Sequence, residues 1–279
     1  MAQMKTFPDS SFFREGRAPA LSSPAEIRAI NEQSGKKVGF NWPPPVEIPS
    51  MGLFVKYGTD VTVTEAETQI MLLERFQGRL PVPEVFGWAI DGGQTFVYMA
   101  LIEGETLMAR WGSLTDNEKQ SIFKELRSLI TLLRTLQQDP HDQYIGSLGK
   151  EPLHDIFLKS AGISGPFHGV DAVKQLQEAC WMEMTHQAPI VFTHNDLLPP
   201  NIMVSKGPNP KVTALIDWTQ SGWYPAYWEY CKAFRVGVNR RYFPAAFTEE
   251  WHSQLHLILE RVEDTIYHPW LYFVISRGI

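Results

Sequence analysis

The segment Thr193-His194-Asn195-Asp196-Leu197-Leu198-Pro199-Pro200-Asn201 sets a histidine, a carboxylate and an amide at the spacing H-x-D-x-x-x-x-N. Sixteen positions beyond Asn201, an apolar run ends in a second carboxylate, Leu215-Ile216-Asp217-Trp218. Phosphoryl transfer needs such a set. One carboxylate orients the attacking hydroxyl and accepts its proton, while a second carboxylate and an amide hold Mg²⁺ against the phosphates. A bare H-x-D-x(4)-N also occurs in ordinary turns, where Asp and Asn cap the backbone and the histidine is a core residue. Asp217, at the end of an apolar strand, weighs against that alternative.

Secondary structure must hold these groups. The loop lies between two short apolar strands, Ile190–Phe192 and Ile202–Val204, and a turn at Gly207-Pro208-Asn209-Pro210 leads to a strand over Val212–Ile216. Upstream, Gly52–Gly58 reads as a strand carrying Lys56, and a helix follows it. Two overlapping capping boxes open that helix, Thr62 with Glu65 and Thr64 with Glu67. Ala66, Ile70 and Leu73 share a face, with Leu72 and Phe76 beside them. Glu65 falls at the edge of this apolar face and Glu67 on the polar side. Strands over Val85–Ala89 and Thr95–Ala100 flank the turn Asp91-Gly92-Gly93, and Asn41-Trp42-Pro43-Pro44-Pro45 excludes a helix or central strand.

Helices dominate the rest. A capping box at Thr115 and Glu118 precedes an apolar stripe from Ile122 to Leu136, and further helices are expected over Ala172–Met184 and Glu249–Ile266. The order, strands first and helices after, predicts an α+β fold with two lobes. The expected divisions are a loose leader over 1–37 with a short helix near Pro24–Gln33, an N-lobe over 38–103 and a C-lobe over 104–279. A formal net charge of −6 weighs against nucleic acid as a partner. No run of about 20 apolar residues predicts a membrane span, and the N-terminal residues lack the apolar core of a secretory signal. Cys180 and Cys231 read as ordinary thiols of a reducing compartment. A cytoplasmic monomer is expected.

The intervals of the loop equal those of the protein-kinase signature H-R-D-L-x-x-x-N. From about Val38 to Cys231 the chain resembles the aminoglycoside phosphotransferase and choline-kinase-like family, whose fold is that of protein kinases. His194 to Asn201 is similar to that family's catalytic loop, and Ile216-Asp217-Trp218 to its metal-binding segment. Gly222-Trp223-Tyr224-Pro225-Ala226-Tyr227-Trp228-Glu229-Tyr230 resembles the following segment in the form common among fungal members, and Leu80–Pro83 and Ile102–Leu107 resemble two further landmarks. The resemblance implies an ATP- and Mg²⁺-dependent kinase acting on a small-molecule hydroxyl. It implies Asp196 as the catalytic aspartate, Asn201 and Asp217 as magnesium ligands, and His194 as a brace for the loop. Lys56 would hold the α- and β-phosphates, paired with Glu65 in preference to Glu67. The backbone of Met99, Ala100, Leu101 and Ile102 would meet the adenine edge, and Glu229 would brace the loop. A solvated strand lysine is the alternative for Lys56.

The chain departs from the family's pattern in two places. Asn195 stands where glycine is usual, and no G-x-G-x-x-G precedes Lys56, only the isolated Gly35, Gly39 and Gly52. A nucleotide-binding pseudoenzyme and a kinase fold turned to another reaction on a natural product stay open. A protein kinase is disfavoured, because the stretch after Asp217 contains no A-P-E element. From Tyr230 onward Lys232, Arg235, Arg240, Arg241, Arg261 and Arg277 stand against Glu249, Glu250, Glu260, Glu263 and Asp264, which is no acidic surplus for a polycation. Trp218, Trp223, Tyr224, Tyr227 and Trp228 offer either an aromatic wall for a neutral acceptor or the core of the second lobe.

Overall fold

Alternation decides which way Lys56 faces. Leu53, Val55 and Tyr57 are buried on one side of their strand, so Phe54 and Lys56 belong to the other. The computed structural model describes residues 3–35, 37–184, 186–235 and 243–277. Met1, Ala2 and Lys36 of the expected leader, and Arg240 and Arg241 of the charge balance, lie outside the described residues. The chain forms two units. The first runs to Gly104 and also takes Thr213–Thr219, and the second holds Glu105–Val212 and the residues from Gln220 onward.

In the first unit the elements are β1 (Gln3–Thr6), α1 (Ser11–Arg14), α2 (Pro24–Gln33), β2 (Val46–Ile48), β3 (Leu53–Gly58), α3 (Val63–Phe76), β4 (Val85–Asp91) and β5 (Gln94–Ala100). Their antiparallel sheet has the order β1-β4-β5-β3-β2. On one face Val55, Tyr57, Phe86 and Phe96 pack with Phe12, Leu21 and Ile27. On the other, Val85, Trp88, Val97 and Met99 pack with Ala66 of α3, with Phe54 against them.

The expected loose leader is therefore corrected. Its apolar residues Phe12, Leu21 and Ile27 close one side of the sheet, and β1 adds an edge strand to β4. All four β1 residues are exposed, so the strand has no buried face and its sequence no apolar alternation. The helix at Pro24–Gln33 forms as expected, opened by a Ser23–Glu26 capping box. A second correction concerns residues 213–219, assigned to the C-lobe from sequence. Thr213 Oγ1 donates to the Glu103 carbonyl at 3.4 Å and the Leu215 N–H to the Pro81 carbonyl at 2.9 Å, both within the first unit.

The second unit contains β6 (Glu105–Thr106), α4 (Leu107–Arg110), α5 (Asp116–Leu133), β7 (Tyr144–Ile145), α6 (Ile156–Ser160), β8 (Phe167–His168), α7 (Ala172–Ala179), β9 (Ile190–Thr193) and β10 (Ile202–Val204). After β11 (Val212–Leu215) it resumes with β12 (Gly222–Pro225), α8 (Trp228–Phe234), α9 (Ala245–Gln254) and α10 (Asp264–Ser276). The strands flanking the H-x-D loop take different partners, β9 pairing with β12 and β10 with β6. Gly222 is required where β12 passes Gly146, since a Cβ there would stand 2.8 Å from the Gly146 carbonyl oxygen.

α5 follows its capping box and buries Ile122, Phe123, Leu126, Ile130 and Leu133. α7 ends at Ala179, short of the expected Met184, because Trp181 turns left-handed (φ 54°) and the Met182 N–H closes back on the Gln177 carbonyl. The single tail helix expected over Glu249–Ile266 is instead the end of α9, a 3₁₀ turn at Leu255–Leu257 and the start of α10. Leu255, Ile258 and Leu259 stay buried across the break, so the apolar pattern runs on while the backbone leaves the helix.

Candidate active site

Of the two glutamates at the start of α3, Glu65 and not Glu67 meets Lys56. Thr62 caps α3 by accepting from the Glu65 N–H, but the Glu65 carboxylate does not complete the box. It turns instead to Lys56, whose Nζ stands 2.8 and 3.1 Å from its two oxygens. Glu65 is buried, whereas position 67 is exposed. Lys56 Nζ also donates to Asp217 Oδ1 at 2.8 Å and to Thr219 Oγ1 at 2.6 Å. The Thr219 hydroxyl lies 2.8 Å from both Glu65 Oε2 and Asp217 Oδ1, and with one proton it can donate to only one of them at a time. Asp217 itself sits at φ 63°, a left-handed turn just past the end of β11.

Burial works against the ammonium of Lys56, but the Glu65 and Asp217 charges outweigh it and hold its pKa above the ordinary lysine value. Burial lifts the Glu65 carboxyl against the pull of Lys56. With three carboxylate oxygens within 3.1 Å of its Nζ, Lys56 is the charged centre of this cluster. Thr219 was not anticipated from the sequence. Its one signal there is position, two residues past the strand-end aspartate.

At the end of β5, the Ala100 N–H donates to the Glu84 carbonyl at 2.8 Å and the Leu101 N–H to the Gly52 carbonyl at 3.0 Å. Met99 pairs in register with Phe54 and Val85. The adenine edge expected of Met99, Ala100, Leu101 and Ile102 is thereby narrowed, since the sheet already uses the Ala100 and Leu101 donors. No glycine-rich turn precedes Lys56. The β2–β3 connection is a 3₁₀ turn, Pro49–Met51, closed by Gly52 at φ 57°.

In the second unit the residues of the H-x-D loop organise around Asn201, which ends a 3₁₀ turn at Pro199–Asn201. Its Nδ2 donates to the Asp196 carbonyl at 2.9 Å and to Asp196 Oδ2 at 2.8 Å. Asp196 is half-buried, and its N–H donates to His194 Nδ1 at 3.2 Å, so His194 accepts at that nitrogen. His194 is wholly buried and touches the loop from within. Glu229 Oε1 accepts the Asn195 N–H at 2.9 Å, a bracing contact from α8. Around Asn195 lies a buried polar group that the sequence did not reveal, comprising Asp155, Gln220 and Lys232. Its signals were Lys232, a charge in the apolar run of α8, and Asp155, at the N-cap of α6.

The aromatic wall proposed for the acceptor is not there. Trp218, Tyr224 and Trp228 are fully buried, and Trp223 and Tyr227 nearly so. Tyr224, Tyr227 and Trp228 pack with Leu158, Leu176, Trp270 and Phe273 as core of the second unit. Trp218 donates its indole N–H to the Leu215 carbonyl at 2.8 Å in the first. Trp and Tyr bury large area wherever neighbours allow it, and here the neighbours are one another.

No group of three or more His, Cys, Asp or Glu side chains placed to bind a metal occurs among the described residues. Magnesium does not require one, because it is held by one or two carboxylates together with phosphate oxygens and water. The donor set fits. Asp217 brings carboxylate oxygens, and Asn201 spends its amide nitrogen on Asp196, which leaves its carbonyl oxygen for a hard cation.

A model of the phosphotransferase enzyme family matches residues 53–262. Two subtelomeric hrmA-associated cluster proteins from strains of Aspergillus fumigatus are 27% identical over 108 residues, 37% of this chain and 19% of theirs, so the match spans about a fifth of those relatives. Among solved structures, aminoglycoside phosphotransferase APH(3'')-Id from Streptomyces rimosus, in complex with ADP and streptomycin, superposes with a TM-score of 0.55 at 14% identity, over 91% of this chain and 97% of that one. An aminoglycoside-3'-phosphotransferase of type VIII gives 0.54 at 15% identity over 81% and 85%. The streptomycin–ATP complex of APH(2")-IIa gives 0.52 at 14% identity over 93% and 91%. At such identities the likeness establishes the fold, the two-lobed kinase-like α+β architecture expected from the sequence.

Proposed function

Since the chain belongs to the phosphotransferase enzyme family, we propose that it moves the γ-phosphoryl group of ATP to a hydroxyl of a small molecule. The observation that carries this reading is the grip of Asn201 on Asp196, one amide nitrogen holding both the backbone and the carboxylate of the aspartate. A carboxylate so fixed is suited to orient an alcohol and take its proton as the phosphoryl group arrives. Lys56, charged and steadied by Glu65, is suited to the α- and β-phosphates. Asn201 and Asp217 would hold Mg²⁺, which when bound neutralises charge building on the phosphates. The Ile102 amide and nearby carbonyls are left for the base. The first unit would supply nucleotide contacts, and the second the proton-accepting Asp196 and the acceptor contacts.

Solved relatives of the fold carry aminoglycosides and adenine nucleotides. For this chain the acceptor is proposed more broadly as a hydroxylated small molecule of low positive charge, in keeping with the charge balance after Tyr230. No helix among the described residues is long and apolar enough to cross a membrane. The experiment is ATP consumption against a panel of alcohols, aminoglycosides included, with product masses recorded. An acceptor that gains one phosphoryl group supports the proposal. ADP formation without any phosphorylated product, or no ATP consumption across the panel, refutes it.

A further inference from the structure

Asn195, directly before Asp196, sits at φ 62° with its side chain wholly buried. Left-handed backbone is natural to glycine and tolerated by asparagine. Tolerance alone explains neither the burial nor the contacts. Asn195 Nδ2 donates to Asp155 Oδ2 at 2.8 Å and to the Gln220 carbonyl at 3.2 Å. The same Asp155 oxygen accepts from Lys232 Nζ at 2.7 Å and Trp228 Nε1 at 3.0 Å, while Asp155 Oδ1 caps α6 through the Phe157 and Leu158 N–H groups. Lys232 Nζ continues to Gln220 Oε1 at 2.6 Å, which also accepts the Ile156 N–H. One buried carboxylate thus gathers five donors, and a single amide from the catalytic loop is among them.

The two tethers on Asn195 hold different atoms. Glu229 fixes its main-chain N–H, and the Asp155–Lys232 pair fixes its side chain. Trp228 and Lys232 are four residues apart on α8, so one helical face presents both donors to Asp155. A glycine at 195 would adopt the same φ, would keep the first tether and would lose the second. The main chain leading to Asp196 would then be free to rotate about a residue that costs more order than any other.

We propose that Asn195 is a positioning residue whose side-chain amide, anchored on the buried Asp155–Lys232 pair, holds the turn that aims Asp196. The proposal rests on the phosphotransferase reading for its kinetic effect, but its structural core can be read without turnover. The test compares wild type, Asn195→Gly and Asn195→Asp by ATP consumption with an accepted alcohol and by amide hydrogen exchange over residues 193–198. Asn195→Gly is expected to lower kcat roughly tenfold to a hundredfold, with nucleotide KM changed about twofold at most, since misplacing a catalytic group is felt in the chemical step. Exchange over the loop is expected to quicken.

Asn195→Asp puts a second carboxyl against Asp155, in a setting that also holds Lys232 and Glu229 of α8, Tyr224 of β12, Arg134 at the end of α5, and His194. Out of water and beside the carboxyls of Asp155 and Glu229, with Lys232 already engaged by Asp155, the new carboxyl is expected to titrate above the usual range. Protonated, it can donate to Asp155 as the amide did, so its kcat relative to wild type is expected to rise as pH falls from about 8 to about 6.

Unchanged kcat and exchange in Asn195→Gly would overturn the proposal. If that variant does not fold, Asn195→Asp decides, and a pH profile parallel to wild type overturns it. If wild type phosphorylates nothing, the functional reading falls and exchange alone decides: faster exchange in Asn195→Gly supports the tether, and equal exchange refutes it.

Discussion

Removing the Asp155 carboxylate is the sharpest perturbation of this fold. Asp155→Ala leaves the Lys232 ammonium, whose side chain is 6% exposed, without its counter-ion. It also strands the indole donor of Trp228, leaves Asn195 Nδ2 with the Gln220 carbonyl alone, and uncaps α6. Breaking a buried pair by deleting one partner costs about 3–5 kcal/mol, and a lost N-cap about 1 more. The terms overlap, so the expected loss is about 4 kcal/mol. At roughly 2–4 °C per kcal/mol for a chain of this size class, the melting temperature should fall by about 8–16 °C. Lys232→Met in the same background should recover much of that loss, because it removes the orphaned charge. The assay is calorimetric melting of wild type, both single variants and the double. A drop under about 2 °C in Asp155→Ala, or a double variant no more stable than Asp155→Ala, would refute the reasoning. The sign with pH follows as well. Burial would raise the Asp155 carboxyl, but Lys232 and the converging donors hold it below its ordinary value. Its contribution is therefore present above the unfolded value, about pH 4, and is lost as pH falls through the folded one. Asp155→Ala should narrow its gap to wild type in acid.

Other expectations follow from single residues. Asp196→Asn should lower turnover by about 10²–10⁴ while nucleotide binding measured by calorimetry persists; near-wild-type turnover counts against it as the base. Asp217→Ala should abolish the magnesium dependence of ATP affinity, and an unchanged dependence refutes its role as a ligand. Trp228→Ala should cost about 3–5 kcal/mol in stability through a core cavity. A raised acceptor KM with unaltered melting would instead return this residue to the acceptor site.

The resemblance implied a Lys56–glutamate pair, and helical periodicity, which separates positions 65 and 67 by face, chose Glu65 for it. The H-x-D-x-x-x-x-N spacing marked the loop, but not the two hydrogen bonds by which Asn201 Nδ2 holds Asp196. It could not show what Asn195 does. The partner, Asp155, lies 40 residues upstream in a loop whose composition is unremarkable. Thr219 was equally hidden, because its role depends on Lys56, 163 residues away, and not on any local pattern. The aromatics after Asp217 left two readings open for a related reason: a dense run of Trp and Tyr has the same composition whether it faces a ligand or itself. The N-terminal residues were hidden by polarity, which in an edge strand carries no periodic signal.

That edge strand has a consequence for the protein's colloidal behaviour. β4 has β5 on one side and β1 on the other. Shortening the chain to begin at Phe7 would leave the outer ladder of β4 unpaired, next to Ile90, which is already 43% exposed. Unpaired, flat edges recruit strands from other molecules, whereas β1 ends the sheet with Lys5 set in the middle of four exposed residues. A form lacking the first six residues should scatter light increasingly with protein concentration under conditions where the full chain stays clear.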